Sequence, residues 1–229
     1  MWEAFNYCEV FAGRFKAEEC ERVIALHQGS GALQSRMPRG DGGLIRDSDL
    51  FWVPRRAETE WIFERLWEVA TLYNSRYRFE LCGEMGQLQL TRYAKGQLYN
   101  WHMDLGAGAM SLRKLSVVVE LAGREYDGGG IEVFYGEGTG NRIALGQGDA
   151  LIFPSFIMHR ALPVRSGTRW TLVAWLTEPE PLRGTNPVQP GDEAVQERPH
   201  FVHRPAGTRD ALEGLHCRVP VRVFPDETG

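Results

Sequence analysis

The chain has 229 residues, 43% of them hydrophobic and 24% charged, with a formal net charge of −4 at pH 7. That composition is an ordinary globule's, and no apolar run approaches the roughly 20 residues of a helical membrane span, so no membrane partner is expected. The acidic balance offers no general attraction for polyanions, so no nucleic-acid partner is expected either. Length alone favours one domain with a substantial core.

The opening Met1-Trp2-Glu3-Ala4-Phe5 has no basic region, apolar stretch or cleavage site, so export is not expected. The four cysteines, Cys8, Cys20, Cys82 and Cys217, form no C-x-x-C pair, which fits buried free thiols in a reducing cytoplasm. Ala17 to Gln28 reads as a helix, with Cys20, Val23, Ile24 and His27 on one face. A Gly-rich connection is expected from Ser30 to Gly43. A second helix follows Thr59 as N-cap, where Ile62, Leu66, Val69 and Tyr73 recur at helical spacing. Both helices are expected to support one sheet.

From about Gly86 the pattern changes to short apolar or alternating runs: Leu88 to Tyr93, Lys114 to Leu121, Ile131 to Tyr135, Ala150 to Phe153 and Trp170 to Leu176. Asp127-Gly128-Gly129-Gly130 is a turn signal between two of them. Strands at this spacing suggest a sandwich or barrel. After Thr177 the chain turns to Pro, Glu, Arg and Gly with little periodicity until Val219 to Phe224.

Chemistry enters at His102 and Asp104. Side chains two apart on an extended segment point the same way, so the two can reach one metal ion. His159, delivered by the turn, buried strand and stop of Gly148 to Ser155, could complete a two-histidine, one-carboxylate face of the kind that leaves open positions on iron(II). Alternation places Arg169, Thr171, Val173 and Trp175 on one strand face, where an arginine fork near a metal suits a carboxylate and Thr171 adds a hydroxyl. Each residue also has a plainer reading. His159 could be a hydrogen-bonded structural histidine, Arg169 a surface ion-pair partner, and Tyr93 and Trp175 core aromatics. His200 and His203 lack an evident third ligand, and His27 and His216 read as capping or surface residues.

Taken in order, these motifs resemble a known family. Gln87 to Thr177 is similar to the core of the 2-oxoglutarate and iron(II)-dependent dioxygenases, in the prolyl 4-hydroxylase-like branch. The resembling parts are Arg92-Tyr93-Ala94-Lys95-Gly96-Gln97-Leu98-Tyr99 leading to His102-Met103-Asp104; Arg113-Lys114-Leu115-Ser116 leading to Tyr126-Asp127-Gly128-Gly129; and Gly148-Asp149 through His159 and Pro163-Val164 to Gly167-Thr168-Arg169. The resemblance implies a mainly β fold with supporting α-helices, the double-stranded β-helix or jelly roll. It implies His102, Asp104 and His159 as iron ligands, Arg169 paired with the C5 carboxylate of 2-oxoglutarate, Tyr93 hydrogen-bonded to that co-substrate, and Trp175 lining the site. Its cofactor set is Fe(II) with 2-oxoglutarate and O2 as co-substrates, and ascorbate as an optional reductant. Arg46-Asp47-Ser48-Asp49 with Trp52 looks like the family's N-terminal strand, making Arg46 and Trp52 candidate substrate contacts.

Two positions separate branches of that superfamily. Trp175 stands where nucleic-acid demethylases carry a second arginine, and Asp104 is present where the iron halogenases have a small residue, so the resemblance implies hydroxylation. The implied substrate is an amino-acid side chain, proline or lysine, free or in a peptide or protein. The expected organisation is a single domain over residues 1–229: helical support and substrate-side strands in 1–85, the catalytic core in 86–178, and in 179–229 an extension that packs on the core or covers the site. A non-catalytic metal-binding sensor and a metal-dependent hydrolase are the alternatives, the latter leaving Arg169 without a role.

Overall fold

In a computed structural model, the described residues are 7–179, apart from 30, 39, 41, 42, 83, 84 and 137–139. They lie within a unit spanning Met1–Pro179, distinct from a second unit, Glu180–Gly229. The expectations about His200, His203, His216, Cys217 and the Val219 to Phe224 run fall outside the described residues.

Thirteen strands and two α-helices are described. β1 (Glu9–Phe11), α1 (Ala17–Ala25), β2 (Leu33–Pro38), β3 (Leu44–Val53) and α2 (Glu60–Asn74) come first. β4 (Leu88–Tyr93), β5 (Leu98–His102), β6 (Arg113–Glu120), β7 (Asp127–Gly128) and β8 (Ile131–Phe134) follow. β9 (Asn141–Ile143), β10 (Ala150–Pro154), β11 (Met158–Ala161), β12 (Val164–Ser166) and β13 (Arg169–Thr177) complete the series. The main sheet runs β1-β10-β6-β13-β4-β3-β5-β11-β8-β9, with β2 on β3, and its pairings are antiparallel. It is a curled jelly roll. β3 makes the turn between its halves: one edge pairs with β2, while the other pairs with β5 at Arg46↔Tyr99 and with β4 from Asp49↔Arg92 onward.

Alternation along the central strands divides core from site. Leu88, Leu90, Leu115, Val117, Val119, Leu172, Ala174 and Leu176 turn one way and bury against Val23 of α1 and Ile62, Phe63, Leu66 and Val69 of α2. Their alternates, including Tyr93, Ser116, Arg169, Thr171 and Trp175, turn the other way, into the fold of the sheet. The two helices are tied to each other by Glu19, whose carboxylate accepts from Lys16 N at 2.8 Å and pairs with Arg65 Nη1 at 2.6 Å. Gly148 shows how close the packing is. Its φ of +83° suits glycine, and a Cβ there would lie 1.8 Å from Phe15 O.

The structure corrects several sequence expectations. The region from Ser30 to Gly43 contains β2, an edge strand whose mostly exposed side chains carry no core signal. Thr59 is the N-cap of α2 by position, but its hydroxyl donates to Pro54 O at 2.8 Å instead of capping the helix. Asp127–Gly128 pairs with β12, so the glycine-rich turn begins with a short strand. Cys82 is disulfide-bonded, whereas Cys8 and Cys20 are buried thiols. The expectation of buried free thiols therefore does not hold for Cys82. No helix among the described residues is long and apolar enough to cross a membrane.

Candidate active site

β5 ends at His102, and two residues later the backbone N–H of Asp104 donates to Ser155 O at 3.0 Å, which holds the carboxylate beside the strand end. β11 pairs His159 directly with His102 across the sheet, so the second histidine sits inside a strand, and not at its boundary. The donor atoms of His102, Asp104 and His159 all lie within 4.8 Å of one another. The His102 and His159 Nε2 atoms stand 3.9 and 3.7 Å from the two Asp104 oxygens, too far for hydrogen bonds and suitable for a shared ion.

Hydrogen bonds aim these groups. Nδ1 of His102 lies 2.7 Å from Asn100 O and Nδ1 of His159 lies 2.9 Å from Ile157 O, so each ring gives its Nδ1–H to a carbonyl and keeps the Nε2 lone pair for the shared centre. Burial, reinforced by His159, pushes His102 down to about 3 and keeps it neutral. For Asp104, burial favours the protonated form, but the two histidines and Ser116 outweigh it and hold the carboxyl below its usual range. Ser116 Oγ donates to Asp104 Oδ2 at 2.7 Å and lies 2.9 Å from Ser155 Oγ. The Trp175 indole N–H also favours the charged carboxylate, although it completes no hydrogen bond. Two histidines with Nε2 aimed at one point, beside an ionised carboxylate, are the donor set a divalent iron ion needs.

A cavity of about 230 Å³ opens over this group, and every residue singled out from the sequence lines it: Arg46, Trp52, Tyr93, His102, Asp104, His159, Arg169, Thr171 and Trp175. The face alternation expected along β13 is therefore present. Trp52 and Trp175 approach with ring centroids 6.4 Å apart. Tyr93 pairs with Arg169 across the strands, and burial raises its phenol above the ordinary range.

Arg169 is the chief surprise. It is 2% exposed rather than a surface residue, and it already has a carboxylate: its Nε donates to Glu120 Oε2 at 2.8 Å, and Nη2 lies 2.8 Å from the same oxygen without hydrogen-bond geometry. Burial opposes the charge on Arg169, but Glu120 more than compensates and raises its pKa. Burial also pushes the Glu120 carboxyl up, against the pull of Arg169. Tyr126 contributes to both groups. Arg169 therefore meets any ligand as half of a buried ion pair.

Sequence reasoning also passed over Tyr99, Arg113 and Ser116 as site residues. Tyr99 stacks on His102, with centroids 3.4 Å apart and planes at 12°. Arg113 lies over Trp175, its Cζ 3.9 Å from the ring centroid. Tyr99 and Arg113 line the cavity too. His27, read as capping or surface, does cap: its Nδ1 lies 2.6 Å from Ile24 O, while its ring packs on Trp170 at 4.9 Å.

Residues 88–177 match the family model for the 2OG-Fe(II) oxygenase superfamily. Among curated proteins, the chain is 29% identical over 99 residues to a PKHD-type hydroxylase of Synechococcus sp. strain CC9605, covering 43% of this chain and 45% of that one. A PKHD-type hydroxylase of Idiomarina loihiensis is 30% identical over 95 residues, covering 41% and 43%. The chain thus matches less than half the length of these relatives. Among solved structures, a Pseudomonas putida prolyl-4-hydroxylase superposes with a TM-score of 0.62 at 18% identity, over 76% of this chain and 94% of that one. A Trichoplax adhaerens prolyl hydroxylase, solved with a hypoxia inducible factor peptide, gives 0.58 at 15% identity, over 76% and 84%. At these identities the structural likeness speaks for the fold.

Proposed function

We propose that this chain, whose residues 88–177 match the 2OG-Fe(II) oxygenase superfamily model, is a prolyl 4-hydroxylase-like member of it and hydroxylates an unactivated carbon of an amino-acid side chain, proline or lysine being the leading candidates. The observation that carries this reading is the convergence of two backbone-locked Nε2 lone pairs and one ionised carboxylate at the floor of a cavity.

In this proposal His102, Asp104 and His159 would hold iron(II) and leave its remaining positions facing the cavity. Iron(II) with 2-oxoglutarate and dioxygen supplies the oxidising chemistry: the co-substrate is split to succinate and carbon dioxide, and one oxygen atom enters the substrate C–H bond. The chain's own residues place the reactants. Arg169 and Tyr93 sit together deep in the cavity and would receive the distal carboxylate of the co-substrate, with the Thr171 hydroxyl beside them. Trp52 and Trp175 form an apolar wall for a substrate carbon skeleton, and Ser116 holds Asp104 in orientation. Residues 86–178 would form the catalytic core, with β3 of the preceding segment adding one wall of the cavity.

The test is spectroscopic. Anaerobic addition of iron(II) and 2-oxoglutarate is expected to produce a weak visible charge-transfer band that His102→Ala abolishes. A wild-type protein without the band, or a variant that keeps it, overturns the oxygenase reading. Arg169→Ala is expected to bind 2-oxoglutarate weakly while retaining iron.

A further inference from the structure

The cavity carries more positive charge than the proposed reaction uses. Arg46 is 8% exposed on β3. Its Nε donates to Ser48 Oγ at 2.9 Å, its Cζ lies 4.4 Å from the Tyr99 ring centroid, and its buried Nη2 has no hydrogen-bond partner among the described residues. Arg113, at the start of β6, gives Nη1 to the Asp104 carbonyl at 3.3 Å and lies over Trp175. Neither arginine has a carboxylate within ion-pair distance among the described residues. A buried guanidinium with an unmet donor is costly unless something completes it.

The charge inventory indicates what that is. Arg169 is matched by Glu120, and an iron(II) ion would be matched by the two carboxylates of its co-substrate. Asp104 then stands as the single negative charge against Arg46 and Arg113, so the loaded site keeps a surplus of one positive charge. Tyr99 ties this surplus to the reacting centre, since Arg46 lies over one ring neighbour of the metal ligand His102. Asp104 and Glu120 are already engaged, so no lining carboxylate among the described residues is left for the surplus, and a substrate anion would match it.

We propose that the primary substrate carries a free carboxylate on the same residue whose side chain is oxidised, and that Arg46, assisted by Arg113, receives it. This rests on the oxygenase reading above and narrows it. An internal residue of a polypeptide presents a neutral amide at that place and leaves the Arg46 donor unmet, whereas a free amino acid or a C-terminal residue presents an α-carboxylate. The guanidinium fork suits that planar anion, and the Trp52 and Trp175 wall takes the side chain.

The experiment compares matched probes on the full chain loaded with iron(II) and 2-oxoglutarate. Free L-proline and L-lysine, their N-acetyl derivatives, the corresponding primary amides, and short peptides with these residues internal or C-terminal are scored by succinate release above the substrate-free rate and by gain of one oxygen atom. Carboxylates are expected to exceed their amides by about ten- to hundredfold in kcat/KM, the factor that follows from losing a charge-assisted hydrogen bond. Peptides with a C-terminal target distinguish a peptide source of the carboxylate from a free amino acid. Arg46→Met, which keeps the apolar stem over Tyr99, is expected to erase the preference for carboxylates, and Arg113→Gln, at a less buried position, to reduce it. Amides or internal residues that work as well as the acids, no stimulation by any carboxylate, or an undiminished preference in both variants overturns the proposal. The anaerobic band separates the failures: with the band present, these outcomes sink the carboxylate assignment alone, and without it both readings fall.

Discussion

On the proposed function Glu120 would set how strongly the site holds a dicarboxylate, and Glu120→Gln reads that directly. The substitution keeps the shape and an oxygen acceptor for Arg169 Nε, which now bonds Glu120 at 2.8 Å, but it removes a negative charge from a pair whose members are both 2% exposed. A ligand carboxylate on the other edge of the guanidinium would stand about 6 Å from that charge, and at an effective dielectric constant of about 20 their repulsion is about 3 kcal/mol. Its removal is expected to tighten 2-oxoglutarate binding by about a hundredfold. The free variant should lose about 3 kcal/mol of stability, because a buried guanidinium is left unmatched, and ligand should restore much of it. Anaerobic calorimetric titration of the iron(II)-loaded protein measures the first effect, and thermal unfolding with and without 2-oxoglutarate measures the second. Weaker or unchanged binding, with no enlarged thermal shift, would refute the reasoning and make Glu120 a brace that Arg169 needs in order to bind at all.

Two other perturbations test the surroundings of the site and the core. Ser116→Ala removes the 2.7 Å hydrogen bond to Asp104 Oδ2 and is expected to weaken iron(II) affinity by about 10- to 100-fold; equal affinities in a competitive chelator titration would show that the carboxylate needs no such support. Burial pushes the Cys8 and Cys20 thiols from 9.0 up to about 11, chiefly by desolvation. An acid whose folded pKa lies above its unfolded value contributes stability that is complete below pH 9 and declines as pH rises towards 11. Denaturant midpoints are therefore expected to fall over that interval, and to fall less in Cys20→Ala; an identical slope in the variant would sink the assignment.

The strands that sequence made legible are those with a strong burial contrast. Leu88 to Tyr93, with its buried run, was bounded as the structure has it, and the others named from apolar runs differ by a residue or two at their ends. β5 was missed because all five of its residues are half-buried, which leaves no alternation to read. β2 was missed because a mostly exposed edge strand has no apolar face, so the glycines around it set the reading. That His102, Asp104, His159, Arg169 and Trp175 face one cavity was legible because the chemistry proposed for them restricts residue type, spacing and strand face together.

What stayed hidden depends on pairs distant in sequence. Glu120 sits at the end of Leu115 to Val119, a run that is buried with it, and a lone carboxylate in such a run requires a cation or a proton nearby. That signal asks for a partner without saying which of the many arginines supplies it. Only the register that sets Glu120 opposite Thr171, two residues along β13 from Arg169, answers the question. Arg46 poses the reverse case: it reads as an unremarkable strand arginine until β3 is seen to pass between β4 and β5, which brings it over Tyr99 and leaves its Nη2 unmet. Among the described residues one arginine has a carboxylate partner and the other has none. On the proposed reading that difference gives them different work: Arg169 would offer an attenuated, oriented charge to a co-substrate that brings two carboxylates, and Arg46 an unattenuated one to a substrate that brings one.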